Sequence, residues 1–414
     1  MLTEKNYSIC VVGLGYVGLP LAVEFSKHFK VIGYDLNNDR IAELNDFSDV
    51  TLEVTSEALN HALDSRDLIF TSDESKIKES NVYIITVPTP IDKHNQPDLT
   101  PLEQASRCIG KKLKVNDIVI YESTVYPGAT EEVCVPILEY ESGLRFNYDF
   151  FVGYSPERIN PGDKTNTLTK IMKVTSGSDR STANIVDGLY SKIVEAGTFK
   201  ATSIKVAEAS KIIENTQRDV NIALMNEFCQ IFDKIGISTT EVIAAASTKW
   251  NFVNVTPGLV GGHCIGVDPY YLVHKAQSVG FIPDMIRSAR EINDSMPHYV
   301  AQSIINRLVL EKLVIPELNI LILGFTFKPN CPDIRNTKVF NLFLELRKFC
   351  PNIDILDPHV DEYQVEREFG IKVTNEPRSQ QYDIIVKCVK HTEFETLNNY
   401  SLLNQSGLVI DLFQ

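Results

Sequence analysis

A cysteine at position 264 sits in the run Gly258-Leu-Val-Gly-Gly-His-Cys-Ile-Gly-Val-Asp-Pro-Tyr-Tyr271. Gly261, Gly262 and Gly266 bring bare backbone up to the sulfur from both sides, and Asp268 follows four residues on. Clustered glycine is costly inside regular structure, so it marks a tight turn or the close approach of a ligand. A thiol in such a place is a covalent nucleophile if its surroundings favour the thiolate. Without such help it is a packing residue at a crowded helix–loop junction. Both readings are open on this segment alone.

Lys211 and Asn215 stand four residues apart and share one face wherever that stretch is helical. They would hydrogen-bond an oxyanion or a developing alkoxide if a ligand reaches them, and are an exposed polar pair if none does.

A second chemistry begins near the N-terminus. Gly13-Leu-Gly15-Tyr16-Val17-Gly18 follows an apolar run, Ser8–Val12, and opens a helical pattern. Glycines at this spacing permit the turn, the approach of a pyrophosphate and a close helix–strand contact, while the helix N-terminus offers N–H groups to phosphate. Asp35, 20 positions after Gly15, ends the second apolar run. A carboxylate there would hold both ribose hydroxyls and repel a 2′-phosphate, so NAD is expected rather than NADP.

Three later segments end predicted strands with polar residues, at the sheet edge where doubly wound folds bind ligands. They are Thr86-Val-Pro-Thr89-Pro90, Glu122-Ser-Thr124-Val-Tyr-Pro-Gly128 and Tyr154-Ser-Pro-Glu157-Arg158-Ile-Asn-Pro-Gly162. Each by itself could be a capping turn; three in succession favour a site. Glu157, in a loop fixed by two prolines, is the best acid/base candidate among them. Towards the C-terminus, Gly324-Phe-Thr-Phe-Lys328-Pro-Asn-Cys-Pro-Asp-Ile-Arg335-Asn-Thr337 lies between a strand and a helix, with Lys328 and Arg335 as phosphate partners. Cys331 shares that loop but lacks a glycine cradle, so it ranks behind Cys264.

The elements that must position these residues fall into three blocks. Residues 1–200 alternate apolar runs (7–12, 31–35, 68–72, 82–87, 118–122 and 150–154) with helical patterns such as 18–28 and 102–113. That alternation means a parallel sheet covered on both faces. From 203 to 234 there is no Pro or Gly, and apolar residues recur at helical spacing, which predicts one long helix. Helical patterns continue at 239–246, 270–279 and 287–310, so residues 201–310 read as an all-helical middle block. Residues 311–414 form a second strand–helix–strand series with strands at 318–325, 353–356, 384–388 and 408–412. The fold class is therefore α/β, with two Rossmann-like doubly wound domains joined by a long central helix. Apolar residues on more than one face of that helix suit a dimer seam or an internal spine.

Composition narrows the partners. At 414 residues the chain exceeds one compact core. A net charge of −14 argues against nucleic acid or an anionic membrane surface as partner. No apolar stretch reaches the roughly 20 residues that span a bilayer, and the chain runs from its first residues into a strand without a secretory pattern. Eight cysteines are scattered without a Cys-x-x-Cys pair or a His-rich ligand spacing. Reduced thiols in a cytoplasm are expected, with no metal site and no disulfide framework.

Taken together, GLGYVG, PTP, ESTVYPG, SPE, Lys211…Asn215, GGHCIGVDP and the Gly324–Thr337 loop resemble the UDP-glucose/GDP-mannose dehydrogenase family, in the family's order and over essentially the whole chain. The resemblance implies oxidation of C6 of a nucleotide sugar from alcohol to carboxylate with two NAD in succession. It implies Cys264 as the covalent catalyst, through a thiohemiacetal and a thioester. Lys211 and Asn215 would steady the C6 oxygen, and Asp268, Glu157 and Thr124 would position or activate water. Cofactor contacts are implied at Gly13, Gly15, Tyr16, Val17, Gly18, Asp35, Arg40, Thr89, Thr124 and Arg335. Substrate contacts are implied at Glu157, Arg158, Lys211, Asn215, Gly261 and Lys328, in a homodimer through the central helix.

His263 and Val267, where UDP-glucose members usually carry other residues, make the chain similar to the branch acting on UDP-N-acetylhexosamines. The expected substrate is UDP-GlcNAc or UDP-GalNAc, for surface polysaccharide precursors, with UDP-ManNAc and UDP-glucose as alternatives. A simple two-electron dehydrogenase of the 3-hydroxyacid type would share the first sheet and the long helix but have no use for Cys264. A non-catalytic NAD binder would need none of Lys211, Cys264 and Asp268.

Overall fold

The computed structural model describes residues 7–65, 67–159, 165–376, 381–397 and 399–412. The end of the Tyr154–Gly162 segment, 160–162, lies outside them, as do the first six residues read for a targeting pattern. The chain forms two compact units: Met1–Glu214 with Tyr270–Gly280, and Asn215–Pro269 with Phe281–Gln414.

The first unit is built on eight strands: β1 (Ser8–Val12), β2 (Lys30–Tyr34), β3 (Leu68–Thr71), β4 (Val82–Ile85), β5 (Ile118–Tyr121), β6 (Phe151–Tyr154), β7 (Lys173–Gly177) and β8 (Thr198–Lys200). They lie in the order β3-β2-β1-β4-β5-β6-β7-β8. Central strands such as Val-Tyr-Ile-Ile and Ile-Val-Ile-Tyr are buried along their whole length, as a sheet covered on both faces requires. The order reverses at β1, with β2 on one side and β4 on the other, which opens a crevice at the carboxyl ends of these strands.

Two strands went unread in the sequence. β7 is Lys-Val-Thr-Ser-Gly, too polar to register as an apolar run, and β8 has three residues. β7 is antiparallel to β6 and owes its place to tertiary contacts rather than pattern.

The long helix runs Ile204–Ile235, and the division between the units falls within it at Glu214/Asn215. Helices Thr239–Ala246, Asp268–Ser278 and Asp284–Leu310 complete the helical region. The second unit carries a smaller parallel sheet of β9 (Asn319–Leu323), β10 (Asn352–Leu356), β11 (Tyr382–Lys387) and β12 (Leu403–Asp411), in the order β10-β9-β11-β12. Its core joins Ile320, Ile322, Ile384 and Val386 to Leu342 and Leu346 on one helix and to Ile304 and Leu308 on helix 284–310. Here β9 is the reversal point, as β1 is in the first unit. Among the described residues no helix is long and apolar enough to cross a membrane.

Gly18 shows how tightly the first turn closes. A Cβ at this position would lie 1.8 Å from the Gly13 carbonyl oxygen and 2.4 Å from Thr86 Oγ1. Gly18→Ala should therefore force the turn open at a cost of about 1–3 kcal/mol. It should weaken NAD binding by calorimetry while the sheet's circular dichroism persists. Unchanged affinity would refute this turn as the phosphate site.

Candidate active site

In the first unit, Gly13 adopts φ +93° and donates its N–H to Tyr34 O at 2.8 Å, turning the chain back from β1. A Cβ on Gly15 would meet nothing within 4 Å, so backbone is bare where a pyrophosphate must approach. Tyr16 and Val17 lead into the helix at half-buried positions. Asp35 Oδ2 accepts the Leu14 N–H at 2.8 Å and Oδ1 the Asn37 N–H at 2.9 Å, which fixes the carboxylate beside the turn. Bare backbone at a helix N-terminus beside a fixed acid fits a dinucleotide lacking a 2′-phosphate.

Arg40, expected among the cofactor contacts, is buried and engaged elsewhere. Its Nε donates to Leu14 O at 2.9 Å, and its terminal nitrogens bond Glu43 and Asp49, each at 2.8 Å. It props the glycine turn. Thr89 Oγ1 donates to Thr124 O at 2.7 Å, tying together the loops after β4 and β5. The loop after β5 is held again by buried Glu208 on the long helix, which accepts N–H groups from Gly128 and Thr130. Burial pushes the Glu208 carboxyl up to about 7.

Glu157 is placed differently from a titrating acid. Its Oε1 accepts the N–H groups of Arg158 and Ile159, both at 2.6 Å, and its Oε2 takes Lys173 Nζ at 2.8 Å. Lys173, buried, also bonds Glu122 at 2.7 Å, and Glu122 accepts the Tyr190 hydroxyl. One cation faces two buried carboxylates. Burial opposes the charge on Glu157, but Lys173 and the two backbone donors outweigh it and hold the group as a carboxylate, below its ordinary range. Glu122, lacking the backbone donors and repelled by Glu157, is pushed by burial up to about 7 despite Lys173. Glu157 therefore acts as a fixed anion that shapes its loop. Arg158 pairs with Glu214 on the long helix at 2.8 Å and donates to Met172 O at 3.0 Å.

The long helix presents a buried polar stripe: Glu208, Lys211, Asn215, Asp219 and Asn226, at most 8% exposed and at helical spacing. Lys211 has no ion-pair or hydrogen-bond partner among the described residues. One turn on, Asn215 Nδ2 donates to Asp268, which is buried and begins helix 268–278. The N–H groups of Val267 and Asp268 both bond Cys264 O, at 3.0 and 2.8 Å, so thiol and carboxylate sit on one turn.

The rest of the Cys264 loop is clamped by residues that the sequence reading passed over. Asn226 donates to Gly258 O at 3.0 Å, accepts the Gly258 N–H at 2.9 Å and donates to Asn293 at 2.8 Å. Asn293 and Arg290 converge on Asp219, while Arg290 also takes Asp294 at 2.6 Å. The missed signal was the polar period on the helix, hidden because only its apolar period was followed.

On the other side, a Cβ at Gly261 would lie 2.9 Å from Asn336 O, and one at Gly262 would lie 2.7 Å from the Phe327 ring. These two glycines make room for the 325–337 loop of the same unit. The expected sugar contact at Gly261 is thus joined by a plainer reason for glycine.

That loop repeats the first turn. Gly324 has φ +91° and donates to Leu356 O at 2.8 Å, and Asp357 accepts the N–H groups of Phe325 and Thr326 at 2.7 and 2.9 Å. Arg335 folds back on Asp333 through Nε, at 2.9 and 3.1 Å, and through Nη2. Lys328 lies over the Phe327 ring at 5.5 Å. Beyond it, His359, His391 and Glu393 have metal-like spacing. His391 accepts the Asn330 N–H at Nδ1 and faces Asp357 through Nε2 at 2.9 Å, so its ring is already committed to the turn.

Each unit thus carries a glycine turn braced by a strand-end carboxylate, as dinucleotide-binding folds do, and the second unit also carries a glycine-bounded thiol with Asp268 beside it. Three family models match the chain: the UDP-glucose/GDP-mannose dehydrogenase NAD binding domain over residues 7–194, its central domain over 205–295 and its UDP binding domain over 321–414. The chain belongs to the UDP-glucose/GDP-mannose dehydrogenase family. It is 55% identical over 399 residues to a UDP-N-acetyl-D-glucosamine 6-dehydrogenase of Salmonella typhi, covering 96% of this chain and 93% of that one. It is 51% identical to Protein CapL of Staphylococcus aureus, covering 98% and 96%. A solved UDP-D-ManNAc dehydrogenase from Pyrococcus horikoshii superposes with a TM-score of 0.87 at 32% identity, covering 98% and 94%.

Lys173→Met leaves two carboxylates buried around an apolar side chain and should cost about 3–5 kcal/mol in chemical denaturation. Adding Glu122→Gln should recover part of that loss. A fully stable Lys173→Met chain would mean the network carries no charge.

Proposed function

We propose that this chain oxidises the C6 alcohol of UDP-N-acetylglucosamine to the uronic acid, passing through a covalent intermediate on Cys264. Lys211 carries this reading: one turn from Asn215 on the long helix, and without an ion pair or hydrogen bond among the described residues, its ammonium would meet a developing oxyanion. The 55% identity to a UDP-N-acetyl-D-glucosamine 6-dehydrogenase supports the choice of sugar. UDP-GalNAc is the second reading on His263 and Val267; UDP-ManNAc and UDP-glucose follow.

NAD, when bound, takes a hydride from C6 in each of two oxidations. Gly13, Gly15 and Gly18 with Tyr16 and Val17 would hold its phosphates and Asp35 its ribose; Thr89 and Thr124 would border the nicotinamide, and Arg40 would act through the turn it props. Arg335 and Lys328, with Arg158 and Gly261, would serve the nucleotide sugar and cofactor phosphates.

As the first C–H bond breaks, the C6 hydroxyl proton passes to water held by Asp268, while the Lys211 ammonium and the Asn215 amide meet the oxygen's charge; in the alternative, Lys211 starts as the free amine and takes the proton itself. The Cys264 sulfur pair then forms a C–S bond to the aldehyde carbon, and the carbonyl pair moves to oxygen and takes a proton. Loss of the second hydride, with that proton, leaves a thioester. Water steered by Asp268 and Thr124 adds to it, the C–S bond breaks, and thiolate and carboxylate part. Glu157, a fixed anion, would orient groups in its loop rather than pass protons.

Three functional blocks, 1–200, 201–310 and 311–414, are then carried by two compact units. The cytoplasm is the expected compartment, because the covalent step needs a reduced thiol. The product, a nucleotide-linked uronic acid, is an activated donor suited to surface polysaccharide assembly.

Purified enzyme should release two NADH per UDP-N-acetylglucosamine consumed. Cys264→Ser should bind NAD normally yet yield no uronate. One NADH per sugar, or normal uronate from the variant, would sink the thioester route.

We further propose a homodimer through the long helix. Leu224, Phe228, Ile231 and Ile235 recur at helical spacing and are 44%, 37%, 46% and 62% exposed, an apolar stripe that a second copy would cover. Phe228→Asp should shift the sedimenting species from dimer to monomer. A wild-type chain that sediments as a monomer at micromolar concentration would refute it.

A further inference from the structure

We propose that His263 is a positioning residue that keeps a positive charge against the Cys264 sulfur, and that Asp333, clamped by Arg335, keeps His263 in place. The inference rests on Cys264 being the nucleophile and adds a feature that the glycine-flanked thiol alone does not reveal.

The observations lie within the second unit. Nδ1 of His263 is 3.2 Å from Asp333 Oδ2, off the line of a hydrogen bond but within an ion pair. The Asp333 side chain is 2% exposed and takes both the Nε and the Nη2 of Arg335. The Phe327 ring meets the imidazole edge-on with centroids 6.1 Å apart, and Asn336 Nδ2 donates to Gly262 O at 3.3 Å. Ring and backbone are both held, and the Cys264 side chain is a further polar neighbour of the imidazole.

The groups acting on its charge are Asp333 and Arg335 from the facing loop and Cys264 from its own. Burial would strip the proton from His263, and Arg335 works the same way. The contacts with Asp333 and Cys264 outweigh both and push the imidazole up to about 9. Burial would likewise raise Asp333, but His263 and Arg335 hold it well below the carboxylate range. His263 is therefore an imidazolium at neutral pH, and Asp333 an anion.

The chemistry gains twice from a resident cation. An ordinary thiol is only a few per cent thiolate at neutral pH, and a neighbouring cation raises that fraction. When the thioester is hydrolysed, the same charge meets the thiolate that departs. His263 keeps its proton in both steps, so nothing is transferred through it.

The test is the rate at which iodoacetamide alkylates Cys264 in the full chain between pH 6 and 10, read from the mass of the Cys264 peptide. At pH 7 the wild type should react about tenfold faster than His263→Gln. That advantage should vanish as pH rises through about 9, where the imidazolium titrates. His263→Lys, which returns the charge, should recover the neutral-pH rate. Equal rates for wild type and His263→Gln at all pH values, or a folded His263→Lys that fails to recover, would overturn the proposal. Should His263→Gln not fold, Asp333→Asn decides: the advantage should be lost near pH 7 rather than 9, and an unmoved profile overturns it. Acid-quenched wild type separates this from the thioester reading. A trapped sugar–Cys264 adduct with a flat alkylation profile sinks the His263 role alone. A shifted profile without an adduct sinks the thioester alone.

Discussion

A carboxylate at the end of the second strand of each sheet, hydrogen-bonded to the backbone N–H of a glycine turn, is the constraint on which both turns depend. Asp35 does this for Leu14, and Asp357 does it for Phe325 and Thr326. Each turn contains a glycine near φ +90°, a conformation that a side chain would strain. Without the acid, several backbone donors would converge with nothing to satisfy them. With it, the turn is locked from the strand side. In the first turn the acid is left beside the bare Gly15 backbone; in the second, His391 seals Asp357 from behind at 2.9 Å. The two ends of the chain thus share a device that their sequences barely share.

Charge burial organises the chemistry between these ends. The long helix buries Glu208, Lys211, Asn215, Asp219 and Asn226, and Glu208, Asn215, Asp219 and Asn226 each hydrogen-bond to other elements of the fold. Glu208 secures the loop after β5, Asn215 secures Asp268, and Asp219 and Asn226 secure the start of the cysteine loop. A buried polar group is tolerable only when bonded, so these bonded positions hold the loops still. Lys173, between Glu122 and Glu157, does comparable work at the other sheet edge. It explains why the carboxylate that looked most suited to proton transfer is held as an anion.

The glycines around Cys264 have two separate origins. Gly261 and Gly262 yield to Asn336 and Phe327, which press the cysteine loop onto the 325–337 loop. A Cβ at Gly266 would lie 3.3 Å from Val260 O and 3.9 Å from the Arg290 guanidinium. Packing within one unit accounts for these glycines and brings His263 against Asp333. A sequence shows that side chains are absent; it does not show whether a ligand or the protein fills the room.

The sequence by itself determined the parallel α/β class, the long helix, the two glycine turns, and Asp35, Lys211, Asn215, Cys264 and Asp268 as chemically apt residues. Those features are local in cause: periodicity, glycine at a turn and an acid at a strand end are all legible within some twenty positions. Tertiary structure decided the rest. β7 exists because β6 offers it an edge, and Arg40 is a strut because Asp49 folds over it. Glu157 is a fixed anion because Lys173 reaches it from 16 residues away, and His263 meets Asp333 across 70. Such pairings are set by burial and by the cost of leaving charge unmatched inside the fold, and neither quantity is written in the order of the residues.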